Sequence, residues 1–233
     1  MSLSSSFRWF KFLVFGREIR SRLILAGAAR GLRMIIDPNA KTQRLLGLDE
    51  REIQRDFVAC AKWAEVLVDV GASDAYYGLV FRKHNAQGEI HLVEANEEFQ
   101  AVQRDHFLAN FPDSPPICHA SFVVSPEKQG DRCCVISRDL PVRGRRVFLK
   151  VDVDGWELDV LRSAEALFKD TPIRTIIETH SPELERDCLM FLRDRGFTAK
   201  VIPNADWRRW IPENRPAHNR WIYAENTPGS GRS

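Results

Sequence analysis

Residues 66 to 78 read Val66-Leu67-Val68-Asp69-Val70-Gly71-Ala72-Ser73-Asp74-Ala75-Tyr76-Tyr77-Gly78. Five residues of strand character run into a turn rich in small residues, and an amphipathic stretch follows. A glycine at position 71 removes the side chain where the backbone must turn sharply and let a ligand come close. The helix expected from Ala75 to His84 offers its N-terminal amides to an anionic group.

The pattern repeats downstream. Strands are expected at 66–70, 90–94, 117–123, 147–153, 173–179, 198–202 and 221–224. Helices are expected at 75–84, 97–110, 156–168 and 182–195. Near-continuous apolar strands alternating with helices imply an α/β, Rossmann-like fold: a mostly parallel seven-stranded sheet with helices on both faces. Ligands of such sheets bind beyond the carboxyl ends of the strands, where the strand order reverses. That rule selects the residues to weigh.

Asp69 and Glu94 end the first two strands, and an acid at Glu94 can accept hydrogen bonds from both hydroxyls of a ribose. Both NAD and S-adenosylmethionine carry that ribose. The loop lacks the full GxGxxG glycines that a pyrophosphate requires. It instead places Asp69 and Asp74 near the ligand, which suits a cofactor bearing an ammonium and a sulfonium. The fourth strand leads into Phe148-Leu149-Lys150-Val151-Asp152-Val153-Asp154-Gly155-Trp156-Glu157, and the fifth ends in Glu178-Thr179-His180. Alternation along a strand lets Asp152 and Asp154 point the same way. Glu157, in the first turn of its helix, is expected to converge on the cleft with Asp152, Asp154, Glu178 and His180, the alternative being an acid merely favoured by the helix dipole.

VLVDVGASDAYYG, HLVEANEEFQAVQRDHFLAN, FLKVDVDGWELDVLRSAEALF and IIETH, in this order, resemble the FkbM family of methyltransferases over residues 65–180. The resemblance implies a class I fold, S-adenosylmethionine as methyl donor, and transfer to a hydroxyl oxygen of a small molecule or sugar. It places Asp69 and Gly71 at the methionine part and Glu94 at the ribose, with Ala72, Ser73, Tyr76, Ala95 and Ala120 also among the cofactor-binding residues. Asp152 falls where methyl group and acceptor meet. The base that takes the acceptor proton is Asp152 or Asp154, with His180 as the alternative because its ordinary pKa suits proton removal near neutrality. A divalent cation on Asp152, Asp154 and Glu178 is a further use of these carboxylates, but the reading taken is no metal, with the acids facing the sulfonium. Ala75 stands where such loops carry a second glycine, a methyl being tolerable there if φ is negative, and Asp74 repels the methionine carboxylate unless it turns outward. The rival functions are an NAD-linked or sugar-nucleotide enzyme and a non-catalytic binding domain of the same fold.

Outside this block, residues 1–33 carry Arg8, Lys11, Arg17, Arg20, Arg22, Arg30 and Arg33 against Glu18. With the aromatics around Trp9, this makes a basic extension, expected to be helical, over residues 1–60. It can pack on the domain or touch an anionic membrane surface through residues 7–33. The methyltransferase domain is expected over 61–226 and a flexible tail over 227–233. A helix is expected from Asp49 to Trp63, with Asp49 and Glu52 as a capping box. The whole chain's net charge of +2 gives no reason to expect nucleic acid as partner. Five cysteines without CxxC spacing, Cys60, Cys118, Cys133, Cys134 and Cys188, fit a reducing, cytoplasmic setting better than a disulfide framework. Trp207, Trp210 and Trp221 alternate with Arg208, Arg209, Arg215 and Arg220. That ending serves either as an acceptor-pocket wall or as packed tryptophans with arginines reaching for water.

Overall fold

The computed structural model describes residues 16–128, 130–209 and 218–228. Its strands are β1 (Arg20–Leu23), β2 (Arg33–Ile36), β3 (Val66–Val70), β4 (Glu89–Val93), β5 (Ile117–His119), β6 (Phe122–Val123), β7 (Cys133–Cys134), β8 (Val147–Val151), β9 (Ile173–Thr179), β10 (Thr198–Ile202) and β11 (Arg220–Glu225). Its helices are α1 (Thr42–Leu45), α2 (Gln54–Trp63), α3 (Tyr76–His84), α4 (Glu98–Asn110), α5 (Ile136–Asp139), α6 (Glu157–Ala164) and α7 (Pro182–Asp194).

Seven strands form the central sheet in the order β10-β11-β9-β8-β3-β4-β5. The pairs β5-β4-β3-β8-β9 are parallel, and β11 joins antiparallel to both β9 and β10. The chain leaves β3 toward one edge and returns at β8 toward the other, so the order reverses between the two central strands.

Alternation assigns each strand residue to one of two cores. Leu67 and Phe148 pack with Phe57, Phe81, Phe107 and Trp221 on one face. Val66, Val68, Val70, Leu149 and Val151 pack with Val160, Leu161 and Leu192 on the other. Asp69 and Lys150 occupy the first-face phase of β3 and β8, which brings both charges into the interior, at 2% and 0% exposure. The helix α7 starts where sequence chemistry says it should: the Leu184 amide donates to Ser181 Oγ at 3.1 Å, and Pro182 opens the first turn.

Three expectations are overturned. Residues 20–36, expected within a helical extension, form an antiparallel ribbon of β1 and β2. Met34 and Ile36 are buried while Arg33 and Ile35 are exposed, a period of two. The strand expected at 117–123 breaks at Ala120 and Ser121. Its first part extends the main sheet on β4, and its second pairs with β7 in a separate two-stranded sheet. The capping box at Asp49 does not form. The helix begins at Gln54, Asp49 Oδ2 accepts from Arg44 Nε at 2.7 Å, and Glu52 accepts from Arg208 at 2.6 Å and from the Ala205 amide at 3.1 Å. Ion pairs with Arg44 and the distant Arg208 outcompete the local cap.

The aromatic basic stretch at 1–15, Trp210, Arg215 and residues 229–233 lie outside the described residues. No helix among the described residues is long and apolar enough to cross a membrane.

Candidate active site

A cavity of about 770 Å³ opens at the carboxyl ends of β3, β4 and β8, where the strand order reverses. Gly71, Ser73, Glu94, Ala95, Asp152 and Asp154 line it with Val70, Val93 and Val153. Its outer wall is Ser121 to Val124 and Cys133 from the small β6–β7 sheet, with Lys128, Trp156 and Val160. The size is that of a ligand pocket.

Gly71 is irreplaceable on local grounds. Its φ is +78°, and a Cβ there would lie 1.9 Å from the carbonyl oxygen of Asp152. The Asp152 amide in turn donates to the Val70 carbonyl at 2.9 Å, and the Gly71 amide donates to the Val93 carbonyl at 2.9 Å. The glycine thus lets three strand ends close together beneath the cavity.

Ala75 does not have a negative φ. It sits at +66° and Ser73 at +44°, both in the left-handed region that side chains disfavour. Such strain persists only where the surroundings over-determine it, and here they do. The Ser73 amide donates to Glu94 Oε2 at 2.8 Å, and Gln103 Nε2 donates to the Ser73 carbonyl at 2.8 Å. His106 accepts from the Ile35 amide at Nε2, so its Nδ1 donates to the Asp74 carbonyl at 2.8 Å.

Asp74 turns to its own partners. Its carboxylate accepts from Lys41 at 2.5 Å and from Arg44 at 2.7 and 2.8 Å, and it does not line the cavity. Burial alone would raise its pKa, but the charges of Arg44 and Lys41 outweigh burial and hold it at about 2.

The sequence candidates fall into two groups. Gly71, Ser73, Glu94, Ala95, Asp152 and Asp154 come together around the cavity. Asp69, Ala72, Tyr76 and Ala120 lie outside its lining. Asp69 faces the buried Lys150 side of the sheet; burial pushes its carboxyl up to about 7, against the pull of Lys150. Ala72 and Tyr76 are core residues at 5% and 3% exposure, and the Tyr76 ring carries the Arg44 guanidinium at 4.5 Å. The Ala120 carbonyl accepts from Arg132 Nε at 3.2 Å.

Behind Asp152 lies the acidic cluster expected from the fourth and fifth strand ends. His180 Nδ1 bonds to Glu157 Oε1 at 2.8 Å. Its Nε2 is 3.1 Å from Asp154 Oδ1, 3.7 Å from Asp152 Oδ1 and 3.9 Å from Glu178 Oε1. The hydrogen bond that His180 donates to Glu157 is the main reason the His180 pKa is raised, with Glu178, Asp152 and Asp154 adding to it against desolvation. Glu157 is therefore more than a helix-start acid: it is fully buried and orients the imidazole.

Several cavity residues carried no sequence signal. Phe122 and Trp156 are large aromatics left about half exposed, and Lys128 Nζ lies 4.6 Å over the Trp156 ring. A short parallel pair such as β6–β7 has no periodicity to detect. The C-terminal arginines, by contrast, have structural partners: Arg208 on Glu52 and Arg220 on Glu185. Trp221 is wholly buried in β11.

The comparisons fit this geometry. Residues 137–211 match the Methyltransferase FkbM domain. That match spans about a third of the chain. The matched stretch contains β8 with DVDGWELDVL and the IIETH strand end, the part that shapes the acidic side of the cavity. No curated protein matches the chain.

Similar solved structures share the fold at low identity. The precorrin-6y C5,15-methyltransferase of Geobacter metallireducens has a TM-score of 0.52 at 16% identity, covering 76% of this chain and 89% of that one. A SAM-dependent O-methyltransferase of Thermotoga maritima gives 0.51 at 13%, covering 74% and 65%. The tRNA (uracil-54, C5)-methyltransferase of Pyrococcus abyssi, solved with S-adenosyl-L-homocysteine, gives 0.57 at 14%, covering 91% of this chain and 45% of that one. These likenesses establish the fold, a Rossmann-like α/β architecture with a mostly parallel sheet.

Proposed function

We propose that the chain is an S-adenosylmethionine-dependent O-methyltransferase acting on a hydroxyl of a small molecule or sugar. The observation that carries this reading is a cavity at the strand-order reversal with Glu94 on one wall and Asp152 and Asp154 on the other, in a chain whose residues 137–211 match the Methyltransferase FkbM domain.

In this reading Gly71 and Ser73 bound the methionine part, and Glu94 with Ala95 holds the ribose. Both Glu94 oxygens already accept a loop amide, from Ser73 and Asn96. Each retains a lone pair for a ribose hydroxyl. The adenine lies against Phe122 and Val123. The negative edge at Asp152 faces the sulfonium, and charge complementarity favours that cofactor over a pyrophosphate. Asp69, Ala72, Tyr76 and Ala120 support this frame from outside the lining.

The reaction is an in-line displacement, largely a task of holding oxygen, carbon and sulfur in line. The oxygen–carbon bond forms as the carbon–sulfur bond breaks, and the bonding pair stays on sulfur. The hydroxyl proton goes to the carboxylate of Asp152 or Asp154, or alternatively to the His180 imidazole. Asp154 is the freest, with its side chain 92% exposed at the mouth. The expected acceptor is not a nucleic acid, and the setting is cytoplasmic.

Incubating the chain with deuterium-labelled methyl donor and panels of alcohols, amines and activated carbons tests the acceptor. Labelled ethers are expected, whereas label on nitrogen or carbon alone would overturn the oxygen assignment. Glu94→Ala is expected to weaken S-adenosylhomocysteine binding at least about tenfold, or about 1.4 kcal/mol, by titration calorimetry.

A further inference from the structure

We propose that Asp152, Glu178 and His180 form a divalent-cation site on the acceptor side of the cavity, taking Mn²⁺ or Mg²⁺. One ligand atom from each of the three residues lies within 4.8 Å of the others. An octahedral ion with ligands at about 2.1 Å needs neighbours no more than about 4.2 Å apart. The distances from His180 Nε2 to Asp152 Oδ1 and to Glu178 Oε1, 3.7 and 3.9 Å, already meet that limit. A closure of a few tenths of an ångström completes the set.

Two independent observations point to a ligand rather than to an idle acidic patch. The first stands behind the imidazole. Glu157 is fully buried, its Oε1 holds His180 Nδ1, and its Oε2 has no hydrogen-bond partner among the described residues. A buried carboxylate on the far nitrogen is how proteins orient a metal-binding histidine, leaving the other nitrogen to the ion. The second is charge. Four carboxylates, Asp152, Asp154, Glu157 and Glu178, converge on His180; among the described residues Lys150 is a cation beside them, with Nζ 3.8 Å from Asp152 Oδ2. Glu157 is 0% exposed, so water does little to screen its charge. Two carboxylate oxygens and one imidazole form a predominantly hard donor set, which suits Mn²⁺ and Mg²⁺.

Asp152 belongs both to this set and to the cavity wall, so the ion sits where an acceptor hydroxyl would arrive. There it would lower the hydroxyl's pKa, and with Nε2 engaged, Asp154 is released to take the proton. This role rests on the methyl-transfer reading; the binding site itself does not.

The test is titration of the full chain, stripped with chelator and desalted, with Mn²⁺, reading free ion by electron paramagnetic resonance. One bound ion per chain is expected, displaced by Mg²⁺. Glu178→Gln and His180→Gln should each weaken it at least tenfold, while Asp154→Asn stays within twofold. Circular dichroism checks that the variants fold. In the unmodified chain, bound Mn²⁺ should broaden the His180 ring resonances before those of His84, at the far end of α3. No bound Mn²⁺ at millimolar concentration, undiminished binding in the folded variants, or broadening elsewhere first would overturn the site. A parallel titration with S-adenosylhomocysteine separates the two readings. Cofactor binding without Mn²⁺ binding removes the cation site alone. Mn²⁺ binding without cofactor binding keeps the site and removes the methyl-transfer reading.

Discussion

Gly71→Ala is expected to abolish measurable cofactor binding and to destabilise the fold by roughly 3 kcal/mol, from left-handed strain of 1–3 kcal/mol plus overpacking of similar size. The added methyl would stand 1.9 Å from a backbone oxygen that is itself fixed: Asp152 is tied to Val70 by its amide. No side chain can swing aside to relieve the contact. Either β8 moves away from β3 and carries Asp152 off the cavity wall, or the turn flips and the loop loses Ser73. Thermal melting and S-adenosylhomocysteine titration together check this. A variant that melts and binds like the unmodified chain would show that the loop is not the tight support inferred for it.

The second large effect is expected at Arg44, a residue far from the cavity in sequence. Its guanidinium bridges Asp49 and Asp74 and lies on the Tyr76 ring. Arg44→Ala leaves two poorly exposed carboxylates facing each other without their main partner. Removing one member of a buried ion pair costs about 3–5 kcal/mol, and Lys41 stays to hold part of Asp74, so a loss near about 3 kcal/mol is expected in chemical denaturation. Because the strained turn at Ser73 and Ala75 depends on this network, cofactor affinity should fall as well. The pH dependence has a definite sign. Asp74 is held below its ordinary pKa of 3.8, at about 2. Its contribution is therefore complete above about pH 4 and is lost as pH falls through 2. In Arg44→Ala that acid-side loss of stability should shrink. An unchanged acid transition would contradict the assignment.

What was legible in the sequence was whatever obeys a period or a local rule. The strands 66–70 and 173–179, the core of the strand expected at 147–153 and the start of the helix at Pro182 follow directly from periodicity. So did the pairing of Gly71 with Glu94 and of Asp152 with His180, since strand order places strand ends together. What the sequence concealed depends on contacts between distant residues. Asp74 looked like a repulsive neighbour for a carboxylate because Lys41 and Arg44 lie about thirty positions upstream, and nothing local announces that they close on it. Ala75 at positive φ is held there by packing, against its own preference. Asp69 reads as a cavity acid by its position, but strand phase turns it to the Lys150 face. Glu157 is legible as a member of the converging acid set, but its direct bond to His180 Nδ1 is set by the fold.

With these corrections the site is more consistent with cofactor binding than the bare motif. The loop's one unwelcome carboxylate is neutralised by partners, and the left-handed residues are supported on all sides. The most direct check is calorimetric titration of the full chain with S-adenosylhomocysteine and, separately, with NADH. Saturable binding of the first at one site per chain, lost in Gly71→Ala and weakened in Glu94→Ala, with no heat from NADH, is the expected result. Saturable NADH binding with no response to S-adenosylhomocysteine would contradict the account.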